Sequence, residues 1–276
     1  MIYYSIRFYV RIILKIFIKR IDIQGAENIP ATGPVLLASN HPNSFFDAIL
    51  LACVLDRPVW SLARGDAFKK EWARRILSKF YMMPIYRLSE GKEYLGKNDE
   101  TFEKCSALFK KDQQVLIFSE GICTNQLDLL PLKKGTARLA RQSWESGLDV
   151  TILPVGLSYD TYNKYGKTIQ LNFGETFGKN DFENISEDGF FLKVFNEKLV
   201  SRLSPLLTRS FKPAGPGSVL YYLGYILHLP VIAPVVSFVR SKTKGTVFFD
   251  SVTCGLLVGV TWIYWILAAL IISWIL

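Results

Sequence analysis

The last 26 residues restrict this chain more than any other stretch. Ser251 to Leu276 has no charged side chain and is rich in Leu, Ile, Trp and Gly. About 20 apolar residues in a helix cross a bilayer core, so this segment is long enough to span one and longer than an ordinary buried helix. A second charge-free stretch, Pro213 to Val239 with His228 counted as neutral, precedes it. It carries Pro213, Pro216, Pro230 and Pro234, and a proline inside a helix removes a donor and crowds the preceding turn. Arg240, Lys242 and Lys244 lie between the two. Were both to cross, these cations would sit on the far side of the membrane from the rest of the chain, against the positive-inside bias. The expectation is a first segment that dips into the bilayer or lies along it, then one span at 251–276 with the C-terminus outside the cytoplasm. A two-span hairpin is the alternative.

Half the residues are hydrophobic and the formal net charge is +9, but the cations are unevenly placed. Residues 1–20 carry five basic side chains and no acid, and residues 213–276 carry three basic and one acidic, which leaves +2 for everything between. Charge gathered beside apolar segments points to anionic lipid headgroups. A nucleic-acid binder would need basic patches on the central region, which are sparse. Within Met1–Arg20, Arg7, Arg11, Lys15 and Lys19 recur every fourth position among Ile, Phe, Tyr, Val and Leu. On a helix this makes a slowly drifting basic stripe, the pattern of an amphipathic helix lying in the headgroup layer. A core helix with a basic edge is the plainer alternative. A cleaved signal peptide fits poorly, because charges interrupt the apolar run.

The central region alternates short apolar runs with helical patterns. Val35–Ala38, Val59–Leu62, Gln114–Phe118, Val150–Val155 and Thr168–Phe173 read as strands, and Ile21–Asn28 as a short strand or turn. Pro154 cannot donate in a ladder, so it predicts an edge, an end or a bulge. Helices are expected from Asp47 to Val54, over Phe68–Phe80 with Trp72, Ile76 and Leu77 inward, over Glu100–Lys110 with Phe102, Cys105 and Leu108 inward, from Thr136 toward Trp144, and over Phe190–Leu203. Gly91–Asn98 reads as loop. The fold class is α/β, a mixed sheet with flanking helices, with an N-terminal amphipathic helix and C-terminal membrane segments. The expected division is 1–24 interfacial helix, 25–212 α/β domain, and 213–276 membrane-associated tail with one or two spans.

In open α/β sheets ligands sit outside the carboxyl ends of strands. His41, Arg87 and Glu120 each fall at or just past the end of an extended segment, which argues for a shared site. His41 follows the first core strand, and Asp47 stands at the start of the next helix. A carboxylate that holds one imidazole nitrogen protonated frees the other to take a proton from a hydroxyl. The plainer reading is a helix cap by Asn43 or Ser44, with Asp47 favourable in the first turn. Lys133 and Lys134 precede a helix, where anions bind readily; a solvated turn is the alternative. Arg87 reads equally as a surface ion pair, and Glu120 as a cap on a neighbouring amide. No GxGxxG, Walker or GxSxG sequence occurs. The four cysteines, Cys53, Cys105, Cys123 and Cys254, have no metal-like spacing, so reduced thiols and no metal are expected.

With these residues in view, the stretch from about Asn28 to Tyr159 resembles the phospholipid/glycerol acyltransferase family, lysophosphatidic acid acyltransferase type. Asn40-His41 through Asp47 matches its first motif and Met83-Pro84-Ile85-Tyr86-Arg87 its second. Phe118-Ser119-Glu120-Gly121-Ile122-Cys123-Thr124 stands where the family usually reads Phe-Pro-Glu-Gly-Thr-Arg-Ser, and Leu153-Pro154-Val155-Gly156 fits the fourth motif. The resemblance implies transfer of a fatty acyl group from acyl-CoA or acyl-carrier protein to a lysophospholipid hydroxyl, with no cofactor, at a membrane and on its cytoplasmic face. It implies His41 as general base and Asp47 as its orienting carboxylate. Arg87 would grip the acceptor phosphate, and Glu120 and Gly121 would position the glycerol part. Three departures bear on the acceptor. Five residues separate His41 from Asp47 where four are common, although a minority branch resembling the fungal glycerol-3-phosphate and dihydroxyacetone-phosphate acyltransferases also has five. Ser119 replaces proline. Ile122-Cys123 replaces Thr-Arg, and Lys133, Lys134 or Arg64 would have to supply the missing cation. The acceptor candidates are 1-acyl-glycerol-3-phosphate, glycerol 3-phosphate, dihydroxyacetone phosphate and an amino-acid-linked lipid; a non-catalytic lipid-binding protein is the rival of another class.

Overall fold

The computed structural model describes residues 2–87, 91, 96–182, 185, 187–208, 211 and 219–275. Pro213, Pro216, the division between 212 and 213, the 92–95 part of the expected loop, and Leu276 lie outside those residues. In chain order the elements are α1 (Ile2–Phe17), β1 (Arg20–Gln24), β2 (Val35–Ser39), α2 (Phe45–Val54), β3 (Val59–Arg64), α3 (Glu71–Lys79), β4 (Met82–Ile85), α4 (Lys97–Phe109), β5 (Gln114–Phe118), α5 (Gly135–Glu145), β6 (Thr151–Tyr159), β7 (Thr168–Phe173), α6 (Asp188–Leu203), α7 (Val219–Lys242) and α8 (Phe249–Ile275).

The strands form one sheet in the order β1-β7-β6-β2-β5-β3-β4. Only β6 and β7 pair antiparallel, so β1 and β7 run against the other five and the sheet is mixed, as the alternation of strands and helices predicts. Side chains alternate across a strand. Val35 and Leu37 of β2 enter a core shared with α1, α2, α7 and α8, whereas Leu36 and Ala38 enter a second core shared with α4, α5 and α6. The sheet is thus covered on both faces, which accounts for the fully buried VLLAS run of β2.

Pro154 lies in an interior strand, not at an edge. Its absent N–H faces β7, where the regular ladder begins only at Val155 opposite Phe173. The Pro154 carbonyl accepts from the Gly174 amide at 2.9 Å, and pairing resumes as an isolated bridge between Ile152 and Phe177. The partner chain takes three steps where β6 takes two, so the proline occupies the end of a ladder at a bulge.

Three expectations about helices are corrected. In α3 no residue is buried; Trp72 and Ile76 face outward, at 62% and 47% exposure. Leu77 is half-buried, and the other two positions lie on the exposed side with Arg74, Arg75 and Lys79. In α1, Arg7 and Arg11 do not point toward solvent. Arg7 donates to the Leu55 and Asp56 carbonyls, and Arg11 to Cys53 O at 2.6 Å. Both cations close the C-terminal end of α2, where unpaired carbonyls attract positive charge. Ile13, Leu14, Ile16 and Phe17 of α1 are core, and Tyr4, Phe8 and Lys15 keep an exposed face.

The third correction concerns the tail. Pro230 and Pro234 lie inside a continuous α7. Side chains supply donors near them: His228 Nδ1 donates to Gly224 O at 2.7 Å, and Tyr264 donates to Leu227 O at 2.7 Å. Helices α7 and α8 form a hairpin against α1, with Tyr9 bonded to Val258 O at 3.0 Å. By length and composition, Tyr221–Lys242 and Phe249–Ile275 are each able to cross a membrane. Leu223, Ile226, Ile266, Leu270 and Trp274 are exposed, a larger apolar surface than water-facing helices carry. The turn bearing Lys242 and Lys244 leads straight into Asp250, which bonds the His41–Asp47 loop. Lys242 and Lys244 therefore lie near the His41–Asp47 loop.

Candidate active site

The site is built where β2 leaves the sheet. Beyond Ser39, the Asn40 side chain continues the ladder: Nδ2 donates to Leu157 O at 2.9 Å, and Oδ1 accepts from the Leu157 amide at 2.8 Å. The side-chain amide replaces a residue of strand, which lets the backbone turn away at His41. The His41 amide donates to Glu120 Oε2 at 2.6 Å, and its ring stacks on Phe118 with centroids 3.8 Å apart.

His41 Nδ1 meets Asp47 Oδ2 at 2.9 Å. Asp47 is completely buried. Its Oδ2 also accepts the Asn43 amide at 2.8 Å, and its Oδ1 accepts the Tyr159 hydroxyl at 2.6 Å. A carboxylate taking three donors fixes His41 with hydrogen on Nδ1, leaving Nε2 as the acceptor. The ring is 19% exposed, and Nε2 has no hydrogen-bond partner among the described residues. Burial raises the Tyr159 pKa well above its ordinary value, and the neighbouring Asp47 raises it further; the phenol is thus a donor at all ordinary pH.

The extra residue between His41 and Asp47 is absorbed at Ser44. It adopts φ 52° and ψ −144° as the residue before α2 and makes no side-chain cap bond. Such backbone costs a non-glycine residue about 1–3 kcal/mol and persists only when its surroundings fix it. Here the Ser44 amide donates to Cys123 Sγ at 2.8 Å. Cys123 occupies the position where the resemblance leads one to expect arginine, and it serves the longer loop. Burial, reinforced by Asp47, pushes its thiol up to about 12, so it is neutral and unsuited to nucleophilic attack.

Glu120 is buried with both oxygens engaged by the backbone, Oε2 by His41 and Oε1 by the Leu130 amide at 2.7 Å. Burial raises its pKa against the pull of those amides. It acts as the amide cap that was one of its two readings. Gly121 has φ 67°, and the Lys133 stem crosses the space a Cβ would fill, 2.9 Å from Cγ. Arg87 Nη1 donates to Gly121 O at 3.2 Å, so Arg87, Glu120, Gly121, Lys133 and His41 gather at the carboxyl ends of β2, β4 and β5. Lys134 is exposed immediately before α5. Arg64, at the end of β3, is bound to Asp66 and makes no bond to this cluster among the described residues.

Tyr159, Lys167 and Asp250 belong to the same network and have no role in the sequence reading; Asn43, there a candidate cap, instead bonds Asp250 with its side chain and Asp47 with its amide. Asp250 had a usable signal: it is the one acid in a tail of 64 residues, and an ionisable group at the head of an apolar helix calls for a functional partner.

A family model described as Acyltransferase matches residues 20–158. The chain is 26% identical over 136 residues to the chloroplastic 1-acyl-sn-glycerol-3-phosphate acyltransferase BAT2 of Brassica napus, a match covering 49% of this chain and 38% of that protein. It is 26% identical over 147 residues to 1-acyl-sn-glycerol-3-phosphate acyltransferase alpha of Mus musculus, covering 52% and 48%. Lysophosphatidylcholine acyltransferase 1 of Rattus norvegicus matches at 26% over 116 residues, 42% of this chain and 21% of that one. The matched region thus spans less than half of each of these relatives. A crystal structure of the 1-acyl-sn-glycerophosphate acyltransferase PlsC from Thermotoga maritima superposes with a TM-score of 0.51 at 18% identity, covering 76% of this chain and 81% of the other. At that identity it establishes the fold.

Proposed function

The chain belongs to the acyltransferase family, and on that premise we propose that it moves a fatty acyl group from acyl-CoA or acyl-carrier protein to the free hydroxyl of a lysophospholipid. The acceptor best suited to the site is 1-acyl-glycerol-3-phosphate, with phosphatidic acid as product. The observation that carries the reading is the His41–Asp47 pair at 2.9 Å, with Asp47 held by Tyr159 and Asn43 at the carboxyl edge of the sheet.

In this mechanism Nε2 of His41 takes the proton of the acceptor hydroxyl as that oxygen attacks the thioester carbonyl. Asp47 stabilises the imidazolium that forms. The tetrahedral intermediate collapses, the C–S bond breaks, and the imidazolium returns its proton to the leaving thiolate. No acyl-enzyme is needed, in keeping with a neutral Cys123. Arg87 binds the acceptor phosphate through its planar donor fork, with the Lys133 ammonium reaching the same turn and Lys134 at the start of α5. Glu120 shapes the His41 loop, and Gly121 admits the Lys133 stem. Arg64, held by Asp66, is assigned no part.

The apolar hairpin α7–α8 and the exposed face of α1 support a site at a bilayer, where lysolipid and product reside and the thioester donor arrives from water. Lys242 and Lys244 on the loop side support a site facing the cytoplasm. The test is turnover by the full chain in lipid nanodiscs, with acyl-CoA and acyl-carrier protein as donors and a panel of acceptors, products being read by mass spectrometry. Acyl transfer to 1-acyl-glycerol-3-phosphate that is lost in His41→Ala supports the reading. Unchanged turnover in that variant rejects His41 as base, and transfer only to a phosphate-free acceptor rejects the assigned substrate.

A further inference from the structure

A second set of buried polar groups adjoins the His41–Asp47 pair and comes from the far end of the chain. Asp250, in the first turn of α8, is fully buried and accepts from Asn43 Nδ2 at 2.5 Å. It forms an ion pair with Lys167, whose side chain is likewise fully buried and whose ammonium also donates to Thr161 O at 3.1 Å. The neighbouring Ser251 Oγ accepts the Phe46 amide at 3.0 Å. Phe46 is the second residue of α2, and the first amides of a helix have no partner within it. Ser44, the residue placed to cap them, makes no side-chain bond. The cap comes instead from a hydroxyl 205 positions away.

A buried ion pair is a costly fastener. Desolvation takes several kcal/mol from each ion, and apolar side chains of similar volume hold helices together as well or better. What the polar set adds is direction: Asp250 and Ser251 bond Asn43 and Phe46 in the loop at 41–47, while Lys167 ties Asp250 to the Thr161 carbonyl beyond β6. Asn43 is the joint: its side chain is on Asp250, and its amide is on Asp47 Oδ2. Ser44, next to it, keeps an unfavourable backbone between the Cys123 bond on one side and the Phe46–Ser251 bond on the other. Tyr159 bonds Asp47 from the end of β6, and Cys123 holds the Ser44 amide from the turn after β5. Neither takes the Phe46 amide or the Asn43 side chain, which are left to Ser251 and Asp250.

We propose that the first turn of α8 is part of the acyl-transfer site, with Asp250 and Ser251 as positioning residues. They set Asn43 and the N-terminus of α2, and through these they set Asp47 against His41. The apolar hairpin is then more than an anchor, because its docking completes the geometry of the base. The proposal rests on the reading of His41 as base, and its test separates the two.

The test uses the full chain in nanodiscs. Ser251→Ala removes the cap without disturbing charge, and Asp250→Asn with Lys167→Met removes the ion pair without stranding either ion. Two readouts are taken. One is kcat and KM with the thioester donor and 1-acyl-glycerol-3-phosphate. The other, independent of turnover, is the downfield proton NMR resonance of His41 Nδ1–H, the hydrogen bonded to Asp47, assigned by its absence in His41→Ala. Loosened support from Asp47 weakens that charge-assisted hydrogen bond and moves the resonance upfield. The expected result is a loss in kcat of about tenfold for Ser251→Ala and about a hundredfold for the double variant, the scale of a small misplacement of a catalytic group. KM stays within about twofold, the His41 resonance moves upfield or is lost to exchange with water, and Ser251→Thr recovers both kcat and the resonance. Wild-type kcat and resonance in both variants overturn the proposal, as does a loss of kcat with an unmoved resonance. A shifted resonance in a protein that transfers acyl groups to no acceptor upholds the positioning role and rejects the assigned reaction. If the double variant does not fold, Ser251→Ala decides.

Discussion

His41 and His228 are the chain's two histidines, and the regions that hold them use the same ring in opposite ways. At the sheet's carboxyl edge, His41 spends one nitrogen on a buried carboxylate and leaves the other without a partner among the described residues, on a ring 19% exposed. In the hairpin, His228 spends both: Nδ1 donates to Gly224 O at 2.7 Å, and Nε2 accepts the Trp265 indole N–H at 2.7 Å. A ring with both nitrogens engaged by groups that cannot ionise is a pin between two helices. A ring with one nitrogen free and a carboxylate behind the other is equipped for proton transfer. What separates the two rings is which partners fill them, and on the proposed function that difference makes His41 the base and His228 a structural contact.

The comparison breaks first on His41→Ala, for which we expect kcat to fall by more than about 10³ with membrane association intact, in line with removal of a positioned base. Retained turnover would make the two rings equivalent. Cys123 offers the next break, as the other candidate nucleophile at the edge. With its thiol at about 12 in place of the ordinary 9.0, its thiolate fraction near neutrality is roughly a thousandfold smaller. Alkylation by iodoacetamide should be slow and should keep rising about tenfold per pH unit beyond pH 9, without a plateau. A plateau near pH 8 would show an activated cysteine. The sign for stability is fixed as well: the folded state holds this proton more tightly than the unfolded chain, so Cys123 destabilises the fold as pH climbs from about 9 toward 12.

Arg87→Ala sharpens what the edge binds. We expect KM for a phosphorylated acceptor to rise about 10- to 100-fold with kcat little changed, the mark of lost binding shared by ground and transition states. An equal effect on a phosphate-free acceptor would remove Arg87 from phosphate recognition. Tyr159→Phe should cost less. It deletes the 2.6 Å bond to Asp47 Oδ1 and leaves a buried acceptor short of one donor, worth about 1.5–3 kcal/mol in stability, with kcat lower by about tenfold. Unchanged thermal unfolding would show that another group holds that oxygen.

The parts of this molecule that could be read from the chain are those that depend on local order. Short apolar runs gave β2, β5 and β7 to within a residue, and strand ends located His41, Glu120 and Arg87 together. Pairings across long separations were hidden. Nothing in Ser251 or Phe46 marks a cap 205 positions apart, and Asn43 looks like any loop residue until Asp250 arrives. Arg7 and Arg11 misled for a related reason: a four-residue spacing fixes the face they share but not what that face meets, and it meets the carbonyl end of α2. Trp72 and Ile76 misled in the opposite sense, as an apolar stripe without a core to enter. Pro230 and Pro234 predicted a break, but α7 runs through both.

The smallest effect belongs to His228, and it is the one that tests whether the hairpin's histidine is only a pin. His228→Leu keeps most of the volume but strands the Trp265 N–H and returns the Gly224 carbonyl to its helix. A lost donor partner in apolar surroundings costs about 1–3 kcal/mol, so the full chain in nanodiscs should unfold a few degrees lower. Because Trp265 lies about four helical turns along α8 from Asp250 and Ser251, the loss should stay in the hairpin. Turnover should remain within about twofold and the pH profile should not move. A shift in the pH profile would mean that proton transfer draws on both rings, and the division between edge and hairpin would have to be redrawn around a relay instead of a single base.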